Sequence, residues 1–190
     1  MEESKSFVAK YVIDQLILVQ HSLEVLESQC EDSDVKNEPQ VASLLSAIKL
    51  TFAKHETKLK SHLFSNFEGS ERPVGAKIRD AFTALTGTVI GLYSDLRTEK
   101  VSKMLRDDYT VLCLGTLTYS MLLTTSRSLN EPQTAELCSE LMKDYPPFVM
   151  KLNEIIPFVV NDDLTKRGFQ VKTEAATEAV ECSKKAWANR

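Results

Sequence analysis

The stretch that decides the fold is VSKMLRDDYTVLCLGTLTYSMLL, residues 101–123. At 3.6 residues per turn it is long enough for about six turns of α-helix. Beyond Asp108 it contains no charged residue. A helix on the surface of a globular protein keeps one polar face, whereas leucine, valine and methionine point to every side of this one. The sequence therefore predicts the central helix of a bundle, surrounded by other elements.

Three further segments have the apolar periodicity of helices, with apolar residues recurring at intervals of three and four in residues 4–28, 39–66 and 74–96. The stripe of the second segment consists of Val41, Leu45, Ile48, Phe52, His55, Leu59 and His62. His55 is therefore expected on a core-facing line, and His62 nearer to water.

A last core helix is predicted to begin at Glu131-Pro132. Pro146-Pro147 interrupts its pattern, and a proline inside a helix removes a backbone hydrogen bond and clashes with the preceding turn. We expect a kink or a break there, another bend at Pro157, and the end of the helix at residues 161–163.

The lengths of the connections predict how the helices are arranged. Two short loops, residues 30–38 and 129–132, would join antiparallel neighbours, and the longer segment 69–98 lies between the two pairs. This plan predicts an all-α fold: a ferritin-like antiparallel four-helix bundle with one long crossover containing an extra helix. The bundle is expected over residues 1–163, and residues 164–190 form a polar C-terminal tail, either a loose helix or disordered.

Composition narrows the class of protein. The 190 residues are 43% hydrophobic and 26% charged, with a net charge of −4, which is typical of a soluble globular chain. Basic residues are scattered, so no nucleic-acid partner is expected. No apolar run is long enough for a membrane span, and the acidic N-terminus does not resemble a signal peptide. The widely spaced Cys30, Cys113, Cys138 and Cys182 are expected to be buried, reduced thiols of a cytoplasmic protein.

Two runs of sequence resemble a known family. Arg106-Asp107-Asp108-Tyr109, followed by Leu114-Gly115-Thr116-Leu117, resembles the third core helix of the YciE/YciF-type bacterial ferritin-like proteins. Met150-Lys151-Leu152-Asn153-Glu154-Ile155 resembles the end of that family's fourth helix. The resemblance implies a ferritin-like fold over residues 5–163 and an association with stress.

The chain departs from the metal ligands that this resemblance implies. A ferritin-like di-iron site takes an inward Glu from each of two helices and a Glu-x-x-His from each of the other two, and Glu-x-x-His does not occur here. Val19 stands where one ligand Glu would be, and Lys58 would repel a cation on the second helix. We therefore expect a degenerate site without metal or cofactor. The residues left for a buried polar layer or an atypical site are His21, Glu24, His55, Asp107 and Asp108.

Asp108 shares a helical stripe with Leu105 and Leu112. An unpaired buried carboxylate is costly, so it is either paired or has a raised pKa. His55 or His21 is the expected partner, in a hydrogen-bonded layer that fixes helix register. Exposure at the end of the bundle and a metal or ligand site are the alternatives.

The sequence thus favours a non-catalytic, cytoplasmic bundle protein that has lost its di-iron site. Its expected role is stress-associated or structural, as a homodimer or other homo-oligomer. One alternative is a carrier of a small apolar ligand, such as a lipid or quinone, held between the helices. Another is an oxidase or metal-binding protein that holds iron in an atypical site built from the five polar residues above.

Overall fold

The computed structural model describes residues 2–67 and 100–188, and every regular element within these ranges is a helix. The predicted all-α helical bundle is confirmed. The helices are α1 (Glu2–Glu31), α2 (Ser33–Lys36), α3 (Pro39–Phe67), α4 (Lys100–Ser128), α5 (Pro132–Leu141), α6 (Pro146–Lys166) and α7 (Glu174–Ala188), with a 3-10 turn (Met142–Asp144) between α5 and α6. The helix predicted at residues 74–96 lies outside the described residues.

Contacts between side chains show how α1 runs relative to α4. Gln29, late in α1, hydrogen-bonds Asp108, early in α4. Gln15, in the middle of α1, accepts a hydrogen bond from Thr118, further along α4. The two helices therefore run antiparallel. The short connection through α2 makes α1 antiparallel to α3 as well, so α3 and α4 run parallel.

The parallel course of α3 and α4 places Phe67, the last residue of α3, and Lys100, the first residue of α4, at opposite ends of the bundle. The predicted crossover between them lies outside the described residues. On the other side of α3, α5 and α6 return antiparallel to it, with His62 bonded to Thr134 and Lys54 to Asp144.

The helix α4 has one buried face and one open face. Its core residues are Val101, Leu105, Leu112, Tyr119 and Leu122, all at most 2% exposed. Leu114, Leu117 and Met121 are 43%, 59% and 48% exposed. Among residues 2–67 and 100–188, α1, α5 and α6 cover the buried stripe and leave the opposite stripe open, so within this part of the chain the predicted enclosure of the helix is met on one side only.

The largely apolar stripe predicted on α3 is buried as expected. Val41, Leu45, Ile48, Phe52, His55 and Leu59 are all at most 1% exposed. His62 is half-buried, and its Nε2 lies 2.8 Å from the hydroxyl of Thr134. The hydrophobic periodicity therefore identified the buried face of this helix, including its histidine.

The prolines in the last core helix behave differently from one another. The break predicted at Pro146-Pro147 is confirmed by the 3-10 turn that precedes α6. The end predicted at residues 161–163 is wrong, since α6 continues through Pro157 to Lys166. Ile155 and Val159 are buried on either side of this proline, and their packing holds the helix across the missing hydrogen bond.

Asp163, near the end of α6, stabilises the start of α4. Its carboxylate is buried and accepts a hydrogen bond of 3.2 Å from the backbone N–H of Ser102. The first N–H groups of a helix have no partner within the helix, and a carboxylate there also interacts favourably with the helix dipole. One side chain therefore caps α4 and ties it to α6.

The C-terminal region contains a helix packed on the bundle. The sequence left a loose helix or disorder open here; in the structure α7 packs against α6, with Ala176 and Val180 buried. A cavity of about 10 Å³ between the two helices lies beside Asn153, Lys184 and Trp187, which is room for about one water molecule.

The four cysteines differ in their exposure to solvent. All four cysteines are free thiols: Cys138 is buried, Cys30 and Cys113 are half-buried, and Cys182 is exposed. The expectation of four buried thiols is therefore met by Cys138, met in part by Cys30 and Cys113, and wrong for Cys182 on α7. None of the helices in the two described ranges is long and apolar enough to cross a membrane.

Candidate functional site

Three ring side chains meet in the interior of the bundle: His55 from α3, Tyr119 from α4, and Tyr145 from the residue between the 3-10 turn and α6. All three are 0% exposed. We call this group the histidine–tyrosine cluster. Its members come from three elements distant in sequence, so it joins the two halves of the bundle.

The imidazole of His55 is hydrogen-bonded on both sides. Its Nδ1 lies 3.0 Å from the hydroxyl of Tyr145 and 3.1 Å from that of Tyr119. Its Nε2 lies 3.1 Å from a carboxylate oxygen of Asp144, which also binds the ammonium of Lys54 at 2.7 Å. Because an ionised carboxylate only accepts, Nε2 carries the proton and Nδ1 is the acceptor for the tyrosines.

The cluster is closely packed as well as hydrogen-bonded. Phe52 stacks on Tyr145 with ring centroids 5.1 Å apart, and the ring of His55 lies 4.8 Å from that of Tyr145. Gly115 of α4 makes room for this arrangement, because a Cβ at that position would lie 2.5 Å from Cε2 of Tyr145. No side chain larger than a hydrogen atom fits there with the ring in its present place.

Burial sets the protonation states in the cluster. It lowers the pKa of His55, although the hydrogen bond to Asp144 acts in the opposite direction. Burial also opposes the ionisation of Asp144, but hydrogen bonds from Lys54 and His55 outweigh it and lower the pKa of that carboxyl. Burial raises the pKa of both tyrosines well above the usual range. At neutral pH the cluster thus holds a neutral imidazole, two neutral phenols and an ionised carboxylate.

A carboxylate, an imidazole and a hydroxyl in sequence are also the elements of a catalytic triad. A nucleophile, however, must be reachable by a substrate and activated by its surroundings. The hydroxyls of Tyr119 and Tyr145 are enclosed, and burial makes both harder to ionise. The arrangement is therefore suited to holding α3, α4 and α6 in register and not to covalent chemistry.

The structure does not bring together the five residues that the sequence singled out. His55 lies in the histidine–tyrosine cluster. Asp108 is buried and bonded to Gln29, so the prediction of His55 or His21 as its partner is wrong. Asp107 is half-exposed and paired with Arg106, Glu24 is exposed, and His21 is half-buried on α1.

The candidate metal ligands are spread over several of the described helices. In the part of the chain that the structure describes, no group of three or more His, Cys, Asp or Glu side chains could hold a metal ion. The carboxylate nearest to His55, that of Asp144, is already engaged by Lys54. The five polar residues are thus distributed over separate places and do not converge on one ion.

Sequence reasoning missed the partners of the two buried polar residues. Tyr119 falls on the same stripe of α4 as Asp108, and this periodicity indicates its burial. Tyr145 and Asp144 stand at a helix break, where periodicity gives no direction for a side chain. Gln29 lies near the end of α1, and a glutamine there is usually exposed. Only the tyrosine of α4 carried a usable signal.

No family model matches this sequence, and no curated protein matches it. Among solved structures, it is similar to the crystal structure of a protein (XCC3681) from Xanthomonas campestris pv. campestris, with a TM-score of 0.55 and 15% sequence identity. The match covers 88% of this chain and 99% of that one. At this level of identity the likeness concerns the fold alone: the same arrangement of helices recurs over nearly the whole length of the Xanthomonas protein.

Proposed function

We propose that this chain is a non-catalytic bundle protein of ferritin-like ancestry that has lost its di-iron site. It acts through self-association, in a structural or stress-associated role in the cytoplasm. The observation that carries the proposal is the filling of the bundle interior by His55, Tyr119 and Tyr145, all 0% exposed. The ancestry rests on the sequence resemblance, and the self-association on the open face of α4.

The side chains that fill the bundle interior differ from the ligands of a di-iron site. A di-iron site needs several inward carboxylates and histidines around two metal ions. Here aromatic rings stack where the helices meet, and Phe52 and Gly115 close the remaining space. Asp144 reaches His55 from the rim, but Lys54 already binds its charge. The arrangement stabilises the bundle and leaves the interior closed.

The exposed face of α4 supports self-association. Leu114, Leu117 and Met121 form an exposed stripe there, and residues 109–126 include no charged side chain. The hydroxyls of Thr124 and Thr125 donate to carbonyls one turn earlier in the same helix, so their methyl groups remain for outside contacts. Depletion of charge and an apolar centre are typical of protein interfaces.

A second copy of this chain is the partner that fits such a face. In a two-fold dimer the same patch lies on both sides of the interface, and an uncharged stripe meets its own copy without repulsion. We expect two α4 helices to pack across each other through Leu114, Leu117 and Met121.

Sedimentation velocity of the full chain over a concentration series tests the dimer. We expect a dimer that the substitution Leu117→Glu converts into a monomer with unchanged helical circular dichroism. The matched control is Leu50→Glu on α3, at a leucine that is 69% exposed, and it should remain dimeric. A monomeric wild-type protein, or equal dissociation of both variants, would contradict the proposal.

Anaerobic incubation with ferrous iron followed by elemental analysis tests the loss of the metal site. We expect no stoichiometric iron in the protein. Binding of about two iron atoms per chain, as a di-iron site holds, with loss of that iron on Asp107→Ala or His55→Ala, would favour the oxidase alternative. Nothing in the described part of the chain favours a carrier of apolar ligands.

A further inference from the structure

A second buried polar contact, away from the histidine–tyrosine cluster, joins α1 to α4. Gln29 and Asp108 are each 6% exposed. The amide nitrogen of Gln29 donates to Oδ1 of Asp108 at 3.2 Å. The two remaining polar atoms of the pair, Oδ2 of Asp108 and Oε1 of Gln29, are buried without a hydrogen-bond partner.

A count of donors and acceptors shows what this contact lacks. If Asp108 is ionised, both unpartnered atoms are acceptors, and a buried acceptor without a donor costs free energy. One proton on Oδ2 changes the balance, because the protonated carboxyl has an O–H to donate and Gln29 has a free carbonyl oxygen to accept it. A carboxylic acid and a primary amide present complementary edges, and one of their two hydrogen bonds is already formed here.

We propose that Asp108 is a neutral carboxylic acid in the folded protein and donates its O–H to Oε1 of Gln29. The two side chains then form a doubly hydrogen-bonded acid–amide pair that fastens the end of α1 to the start of α4. Loss of the proton removes one of the two hydrogen bonds and leaves two buried oxygens facing each other. The strength of this contact between α1 and α4 therefore depends on pH.

The surrounding charges agree with a neutral acid. On α4 the neighbouring Asp107 is negative and disfavours a second negative charge, and α1 contributes the uncharged Gln29. Among the described residues, neither α3 nor α6 places a charged group near enough to alter the proton affinity of Asp108. Burial raises the pKa of Asp108 to about 7; the Gln29 hydrogen bond acts against this rise and Asp107 adds to it. The acid–amide pair therefore loses its proton close to neutral pH.

The sign of the effect on stability follows from the two states. In the unfolded chain the aspartate has a pKa of about 3.9, so between about pH 4 and pH 7 the folded state binds one more proton. Each rise of one pH unit in that window makes the unfolding equilibrium constant about tenfold larger. Below the window the contribution is fully present, and above it the loss is complete.

His55 has the opposite effect on the same measurement. Its pKa is lowered by burial, so the unfolded chain takes up a proton below about pH 6.5 that the folded state resists. Stability contributed by the neutral imidazole therefore falls as the pH falls through that range. The two slopes offset each other in the wild-type protein, and a variant is needed to separate them.

The substitution Asp108→Asn isolates the contribution of the acid–amide pair to the pH dependence of stability. An asparagine donates from Nδ2 to Gln29 and accepts at Oδ1, so it keeps both hydrogen bonds and does not titrate. In urea unfolding of the full chain at pH 9, followed by circular dichroism, we expect an unfolding constant at least about tenfold smaller than that of the wild type, since the wild type is ionised there. The difference should shrink toward pH 5. The control Asp107→Asn, with the same change of charge at a half-exposed site, should lack this pH-dependent gain.

Two outcomes would overturn the proposal. An Asp108→Asn variant that is less stable than the wild type at pH 9, or that differs by the same factor at every pH, would mean that Asp108 is ionised and well paired. The wild-type protein supplies an independent measurement, the pH titration of the Asp108 carboxyl carbon by NMR. We expect a midpoint near neutrality, and a midpoint near that of an ordinary aspartate would contradict the acid–amide pair whether or not the variants fold.

Discussion

Gly115 allows the ring of Tyr145 to lie directly against α4. In an exposed helix, replacing a glycine by alanine adds about 1 kcal/mol of stability. Here the new methyl group would lie 2.5 Å from the tyrosine ring, so the ring has to move away from His55. We expect Gly115→Ala to lower the free energy of unfolding by about 1–2 kcal/mol, since overpacking a core costs about 1–3 kcal/mol. Urea unfolding followed by far-UV circular dichroism measures this change.

The control for Gly115 is a double-mutant cycle with Tyr145. In a Tyr145→Leu background the ring is absent, and the added methyl group should be neutral or stabilising. A coupling free energy between the two positions is expected for residues in contact. Equal stabilisation by Gly115→Ala in both backgrounds would show that the ring does not restrict this position.

At the same scale, the sequence predicted burial better than it predicted partners. The stripe on α3 placed His55 in the core, and the structure agrees. Nδ1 of His55 lies 3.0 Å from the hydroxyl of Tyr145, a residue 90 positions further along the chain. Periodicity indicates which way a side chain points from its own helix. It does not indicate which residue of another helix contacts that side chain in the folded protein.

Among the elements, the cap on α4 makes a separable prediction. Asp163→Ala removes the acceptor of the Ser102 N–H, and we expect a loss of about 1 kcal/mol in the free energy of unfolding, as for other N-terminal caps. The matched control is Asp162→Ala, which removes the same charge from an exposed position one residue away and should have little effect. Equal losses in the two variants would indicate that net charge, and not the cap, is responsible.

The same aspartate explains an error about an element. The polar run at residues 161–163 has the composition of a helix end, yet α6 continues to Lys166. Asp163 is polar because it serves the start of another helix, and the sequence of α6 alone does not reveal that use. The break at Pro146-Pro147 was predictable because its cause, the proline ring, is local.

For α4 the difference between composition and position is larger. Its apolar residues predicted a helix enclosed on every side, and Leu114, Leu117 and Met121 are exposed. A run of apolar residues in the sequence indicates that their side chains are kept from water in the functional protein. It does not distinguish burial by another helix of the same chain from burial by a partner molecule, and a second copy of the chain is the occupant that we propose.

For the molecule as a whole, the order and lengths of the helices were sufficient to predict an all-α bundle. Connection lengths indicate which helices are antiparallel neighbours, and this information is local. The interior polar contacts were not predictable as pairs, because His55 with Tyr145 and Gln29 with Asp108 each depend on the packed bundle. The ferritin-like ancestry is a prediction from resemblance, and the likeness to the Xanthomonas protein concerns the fold alone.

The position of Trp187 determines what tryptophan fluorescence can report about this protein. It is the single tryptophan of the chain, it is 37% exposed, and it lies on α7, which buries only Ala176 and Val180 among its described side chains. A helix with so few buried contacts should detach at a lower denaturant concentration than the bundle. We expect the emission of Trp187 to change before far-UV circular dichroism does in a urea titration.

Coincident transitions would show that α7 unfolds together with the bundle. If the transitions separate as expected, the tryptophan emission of this protein reports the unfolding of one peripheral helix, α7. Substitutions in the histidine–tyrosine cluster would then leave the fluorescence midpoint nearly unchanged even when they weaken the core, and the near-ultraviolet dichroism of Tyr119 and Tyr145 would be the signal that follows the bundle itself.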